Sequence, residues 1–345
     1  MPAETPFTYN EIVTQPAAWA EAVTVVRAQA GALKALRLAD YRQLLFTGCG
    51  STYYLALAAA ALTQSLTGHI ARALPASELL LYPDGAYPGA GGVSLLISVS
   101  RSGTTTETLR AVEAFRRQRR GQVITVSNYP EAPLASMGDL NLVIPAGREA
   151  SVAQTRSFAS MYVACVALAA VLAGDEVQLN ALAGLQPVGE RLLRDYAGLA
   201  QEWGADDRLD QFFFLGSGPR YGLACEASLK MKEMTLSVSE PFHFLEFRHG
   251  PMSMITPQTA VVGLLSEAAR KHEEAVLHQM RELGGRILSL AESGADVAFH
   301  SGLPETARGV LYLPVLQLMA YYRAVKRGLD PDRPHNLSKV IELDL

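Results

Sequence analysis

Cysteine is scarce in this chain. Cys49, Cys165 and Cys225 are the only three in 345 residues. They lie far apart and outside any Cys-x-x-Cys spacing, which excludes a disulfide framework and a thiolate metal site and reads as buried thiols of a reducing compartment. A basic excess is lacking as well. Thirty Lys and Arg stand against 34 Asp and Glu, a formal net charge of −4, so no global positive field awaits a nucleic-acid backbone or an anionic membrane. Any anionic ligand must be met by a local site. No apolar run reaches the ~20 residues of a membrane span; the longest, SMYVACVALAAVLAG from Ser160 to Gly174, reads as a buried helix. The opening MPAETPFTYNEIVTQP has no basic segment followed by an apolar stretch, so no secretory signal is read there and a cytoplasmic protein is expected. No G-x-G-x-x-G follows the strand-like runs discussed below, which disfavours a dinucleotide. Neither metal nor cofactor is expected.

What the sequence does have is alternation. Short apolar runs, Leu44 to Thr47, Ser94 to Val99, Val123 to Ser127 and Leu142 to Ile144, are each followed by a helix-length segment, the pattern of βαβ units and a parallel sheet. The pattern then returns at Phe212 to Leu215, Val261 to Leu265, Ile287 to Leu290 and Val310 to Leu313. FTGCG answers FLGSG, LLISVSR answers VVGLLSE, GQVITVS answers GGRILSL and LNLVIPA answers VLYLPVL, at offsets between roughly 164 and 169 residues. This predicts an α/β chain of two tandem doubly wound, flavodoxin-like αβα sandwiches. Their expected bounds are an N-terminal helix over 1–35, a first domain over 36–175, a connecting helix over 176–205 interrupted near Pro187, a second domain over 206–327 and a C-terminal strap over 328–345.

In open parallel sheets ligands sit beyond the carboxyl ends of the strands. There the first copy places SVSRSGTTTET (98–108), with Thr104 and Glu107 at capping-box spacing. Ser100, Ser102 and Thr105 then surround a helix start, and with Arg101 they suit a phosphate; a merely well-capped helix is the plainer alternative. TGCGSTYY (47–54) ends another strand in the same way, offering Gly50, Ser51 and Thr52. In the second copy Glu226, Lys230 and Glu233 share one helix face at i, i+4 and i+7. A solvated salt-bridged face is the plain reading. The small and apolar neighbours Ala224, Cys225, Ala227, Leu229 and Met231 instead suggest burial, where a carboxylate can serve as a general base tuned by its lysine.

SVSRSGTTTET, EASVAQTRSF (149–158), EASLKMKE (226–233), EFRHGPMSMI (246–255) and NLSKV (336–340), in this order, resemble the sugar isomerase (SIS) family. They are most similar to the isomerase half of glucosamine-6-phosphate synthase and to stand-alone amino-sugar-phosphate isomerase/deaminases. The resemblance implies two SIS domains. The SRSGTT and GCGST loops would hold the sugar phosphate, with Val152, Gln154, Glu226 and Ser338 also at the substrate. It further implies that Glu233 moves a proton between sugar carbons C1 and C2, that His249 opens the ring, that Lys339 forms an imine with the open-chain ketose, and that Lys230 tunes the base. Family dimers place the HGP histidine near the neighbouring subunit's site, so a homodimer is expected.

Departures narrow the expectation. Arg101 stands where the synthase pattern has Gln, as in the deaminases, and the chain begins Met1, Pro2, Ala3 without the cysteine of the synthase's glutamine-hydrolysing domain. The implied reaction is release of ammonia from a glucosamine or galactosamine 6-phosphate, giving a ketose 6-phosphate. A fructosamine-6-phosphate deglycase and a non-catalytic phosphosugar-binding regulator are the alternatives. No basic helix-turn-helix segment precedes Ala35, and Glu233, His249 and Lys339 occur together, both of which favour the enzyme. Pro331 and Pro334 predict an ordered strap that brings Lys339 and the Ser338 backbone beside the sugar.

Overall fold

The computed structural model describes residues 6–87 and 92–338. They fall into two compact units. The first unit contains Thr14–Glu149 and Arg156–Ala183; the second contains residues 6–13, Ala150–Thr155 and Gly184–Leu337.

In the first unit the strands are β1 Gln43–Gly48, β2 Ala71–Pro75, β3 Ser94–Val99, β4 Gly121–Ser127 and β5 Leu140–Val143. In the second they are β6 Gln211–Gly216, β7 Val238–Phe242, β8 Thr259–Leu264, β9 Arg286–Ala291 and β10 Val297–Ala298. Every pairing is parallel, in the orders β2-β1-β3-β4-β5 and β10-β9-β8-β6-β7. Read from β7, the second order repeats the first. The tandem doubly wound, flavodoxin-like architecture expected from the sequence is therefore present.

Strand composition explains the layers. The central strands β1 and β3 are buried along their whole length, as is β8, which is why they read as continuous apolar runs covered on both faces. The helix Arg270–Glu282 turns Val276, Leu277 and Met280 onto Phe213, Val261 and Ile287, and each such buried side chain contributes about 1.5–3 kcal/mol. The apolar helix Arg156–Ala173 is long enough by composition to cross a membrane, yet 83% of it is buried within the protein. Cys165 and Cys225 are buried too, and desolvation pushes both thiols up to about 12.

Three sequence expectations are corrected. Val310–Leu313 is not a strand: Gly309–Tyr312 forms a 3-10 turn that leads into the helix Leu313–Lys326. Its apolar residues are buried all round, so periodicity could not separate a core helix from a core strand, and Pro314 sits in the first turn of that helix where it is tolerated. The partner of β5 in the second copy is instead the two-residue β10. Strands β2 and β7 went unread because ARALP and VSEPF carry charge and proline, as edge strands do. The connecting segment breaks at Leu182–Gly184 and Tyr196, giving helices Glu176–Ala181, Leu185–Asp195 and Ala197–Gly204. Pro187 lies in the first turn of the middle one and interrupts nothing.

Both copies leave their first strand by the same turn. Gly50 and Gly218 precede their helices with φ of 56° and 58°, a left-handed conformation natural to glycine. At the strand end the backbone runs so close to the helix that a Cβ on Gly216 would stand 2.5 Å from the Arg220 carbonyl oxygen. Gly216→Ala should therefore cost about 1–3 kcal/mol, read as a lower urea midpoint; an unmoved midpoint would refute the close approach.

Candidate functional site

In the first unit two loops adjoin because β1 and β3 pair in parallel, with Thr47 beside Ser98. Past β1, the Thr52 hydroxyl donates to the Cys49 carbonyl and accepts the Cys49 N–H, both at 2.9 Å. That hydroxyl folds the turn at the start of the helix Ser51–Thr67, and Ser51 and Thr52 are both buried. Past β3, Ser100 Oγ accepts the Gly103 N–H at 3.2 Å and lies 3.3 Å from Thr105 Oγ1. Ser102 Oγ accepts from the Thr104 N–H at 3.2 Å and from the Thr104 hydroxyl at 3.1 Å. The Ser102 hydrogen itself has no acceptor among the described residues. Thr105, not Thr104, precedes the helix Thr106–Arg117, without a side-chain cap. The expected capping box is not formed, because the Thr104 hydroxyl is drawn back to Ser102.

Arg101 takes a different position from the hydroxyls beside it. Its side chain is 6% exposed and pairs with Glu149 at 3.8 Å. Glu149 in turn accepts the Ser157 N–H at 3.1 Å and the Ser157 hydroxyl at the start of the helix Arg156–Ala173. Arg101 is thus paired inside the fold with a buried carboxylate. Sequence reasoning quoted Glu149 as the first residue of EASVAQTRSF without singling it out; the signal was a carboxylate beside an otherwise apolar and hydroxyl-rich motif.

The second unit carries the charged cluster on the helix Pro219–Thr235. The solvated-face alternative is excluded by burial: Glu226 is 0% and Lys230 1% exposed, while the Glu233 side chain is 20% exposed. Lys230 Nζ stands 3.4 Å from Glu226 and forms a shorter ion pair with Glu233. One ammonium thus compensates two carboxylates, and the partly exposed Glu233 is the one that lines a cavity of about 200 Å³. The other walls include Asp330, Arg333 and His335. Arg333 and His335 were not singled out from sequence; DRPHNLSK gave no periodicity by which to orient them.

The strap is tied down before it ends. Asp332 accepts the N–H of Phe7 at 2.9 Å, and the N–H and hydroxyl of Thr8 each at 2.7 Å. A carboxylate here caps the first turn of the helix Phe7–Ala28, where negative charge is favoured. The Val152 N–H donates to the Asp332 carbonyl at 3.0 Å, so that predicted site residue is fixed through its backbone. Gln154, also in the segment Ala150–Thr155, keeps a buried side-chain oxygen without a hydrogen bond. Ser338 is the last described residue and is exposed. Lys339 lies outside the described residues.

His249 is not brought to the Lys230 cluster by any hydrogen bond or ion pair among the described residues. It is exposed, follows the turn Glu246–Arg248 and precedes Gly250 at φ 130°. A different histidine, His243, stacks on Tyr221 at 3.9 Å between ring centroids. Desolvation lowers its pKa against the opposing pull of Glu246.

The model of the SIS domain matches this chain twice, over residues 37–171 and 208–325. The chain belongs to the SIS domain family. Isomerizing glutamine–fructose-6-phosphate aminotransferase from Methanothermobacter thermautotrophicus is 28% identical over 349 residues, covering 98% of this chain; the chain spans 58% of that relative's length. Glucosamine-6-phosphate deaminase from Thermotoga maritima superimposes with a TM-score of 0.79 at 26% identity, over 97% of this chain and 99% of the other. Tagatose-6-phosphate ketose/aldose isomerase from Escherichia coli gives 0.82 at 23% identity over 98% and 97%, a likeness of fold.

Lys230→Met tests the buried cluster. It leaves Glu226 without its compensating charge, so it should destabilise by about 3–5 kcal/mol, whereas replacing both members of a buried pair removes most of that cost. Urea unfolding of Lys230→Met and of Glu226→Gln/Lys230→Met should show the double variant as the more stable; the reverse order would overturn the pairing.

Proposed function

We propose that this SIS protein is a phosphosugar aldose/ketose isomerase that acts on a 2-amino-2-deoxyhexose 6-phosphate of gluco or galacto configuration, giving ketose 6-phosphate and ammonia. The observation that carries the reading is Glu233, a carboxylate oriented by a buried lysine and facing a cavity. Proton transfer beside a carbonyl requires such a group. The isomerizing aminotransferase and the glucosamine-6-phosphate deaminase among its relatives support the substrate class.

In this reading Gly50, Ser51 and Thr52 shape one phosphate loop, and Ser100, Ser102 and Thr105 supply hydroxyls in the other. His249 opens the ring. Glu233 takes the C2 proton of the open-chain amino aldehyde, leaving an enolamine, and returns the proton to C1. The product carries a C1 hydroxyl and a C2 imine, and water then exchanges the imine nitrogen for oxygen and releases ammonia. Lys230 holds Glu233 in place through their ion pair, with Glu226 behind it. Lys339 is assigned the imine chemistry of the ketose, and Val152, Gln154 and Ser338 the contacts along the sugar. Because the His249 imidazole is exposed and lacks a partner among the described residues, it is available to a second copy of the chain, and we assign a cytoplasmic homodimer.

Two variants test the assignment. Ser102→Ala should weaken binding of fructose 6-phosphate by about 1.5–3 kcal/mol, the worth of a hydrogen bond to a charged group, with the fold unchanged by circular dichroism; unaltered affinity removes Ser102 from the phosphate. Glu233→Gln should keep ligand binding and abolish both exchange of the C2 proton with deuterated solvent and ammonia release. Wild-type protein that binds hexosamine 6-phosphates but exchanges no proton and frees no ammonia would instead support a sensor.

A further inference from the structure

The second unit keeps the turn that the first uses beyond its third strand position, but fills it differently. Ser100 Oγ accepts the N–H three residues on, from Gly103, and Ser266 Oγ likewise accepts the N–H of Ala269, at 2.9 Å. After Ser100 come Ser102, Thr104 and Thr105; after Ser266 come Glu267, Ala268 and Ala269. Hydroxyls give way to the chain's own carboxylates. Glu273 Oε2 accepts the N–H of Ser266 at 2.6 Å and its hydroxyl at 2.9 Å. Glu305 Oε1 accepts the N–H of Glu267 at 2.8 Å and Arg220 Nη1 at 2.9 Å.

The place of Glu305 matters more than the number of its bonds. Arg220 lies in the first turn after β6 and Glu267 just past β8. These two strands are neighbours where the strand order reverses, with β7 on the far side of β6. Beyond the carboxyl ends at this reversal open α/β sheets take their ligands. There a carboxylate oxygen receives a loop N–H and a guanidinium, the partners that a phosphate oxygen takes. Beside it a cavity of about 420 Å³ is lined by Ser266, Glu267, Arg270, Ser293 and Arg308, among others. Arg308 is 3% exposed and is held by Glu267 through Nη2 at 2.6 Å, by the Leu303 carbonyl through Nη1 at 2.8 Å and by Glu292, 3.7 Å from its Nε.

We infer that the second unit contains an anion site for a phosphate-class oxyanion, and that the chain closes it with Glu305 as an internal ligand. Duplication copied the scaffold of a phosphate loop, and Glu305 occupies the position an oxyanion would take. The chain then presents one fewer phosphate site than its two domains could offer. This inference needs no assumption about the reaction, because inorganic phosphate is the probe.

The test is calorimetric titration of the full-length protein with inorganic phosphate. Glu305→Ala should gain one phosphate site per chain relative to wild type, bound at least tenfold more tightly than any wild-type binding at that unit, and Glu305→Ala/Arg220→Ala should lose it again. A failed phosphate loop in the first unit lowers the count of both proteins equally and leaves the difference of one intact. Should the alanine variant not fold, Glu305→Ser vacates the oxygen position while keeping a polar side chain, and phosphate should then raise its unfolding temperature by several degrees more than that of wild type. A folded Glu305→Ala with the wild-type site count, or equal phosphate shifts for Glu305→Ser and wild type, overturns the inference.

Discussion

Parallel pairing sends the carboxyl end of every strand in a sheet to the same edge, and the chemistry of this chain depends on that constraint. With Thr47 beside Ser98 and Gly216 beside Leu264, the loops that follow β1 and β3 must adjoin, as must those that follow β6 and β8. Geometry supplies two equivalent crevices, and side chains then distinguish them. One crevice is lined by hydroxyls, among which the Ser102 hydrogen has no acceptor among the described residues; the other is satisfied from within by glutamates and arginines.

The Lys230 cluster shows a different economy. An ammonium and a carboxylate taken out of water lose several kcal/mol of solvation each, recovered only when geometry and neighbours are favourable. Glu226 and Lys230 lie fully inside the helix packing, so their partnership is fixed by the fold. Glu233 shares the same ammonium but keeps contact with the cavity. The cluster therefore divides into a buried ion pair and one partly exposed carboxylate that lines a cavity.

Seven of the ten strands were legible as apolar runs, chiefly because the inner strands of each sheet are covered on both faces. The edge strands β2 and β7 were not, since their sequences mix charge and proline, and β10 is too short to show a period. Val310–Leu313 misled because a helix buried all round and a buried strand are written in the same residues. At the candidate site, the hydroxyl loop and the Glu226–Lys230–Glu233 face could be read because both are local patterns. Arg101 with Glu149, Asp332 with Thr8 and Glu305 with Glu267 could not. Each joins residues far apart in the chain, and no spacing rule announces a partner that only the tertiary fold supplies.

The Asp332 cap has a consequence for how the chain is made. The first turn of the helix Phe7–Ala28 receives its carboxylate from a residue 324 positions after Thr8. A ribosome adding about 5–20 residues per second needs on the order of tens of seconds to span that interval. Throughout that time the leading turn lacks this cap. The first turn of this helix is thus completed only by a residue made 324 positions later.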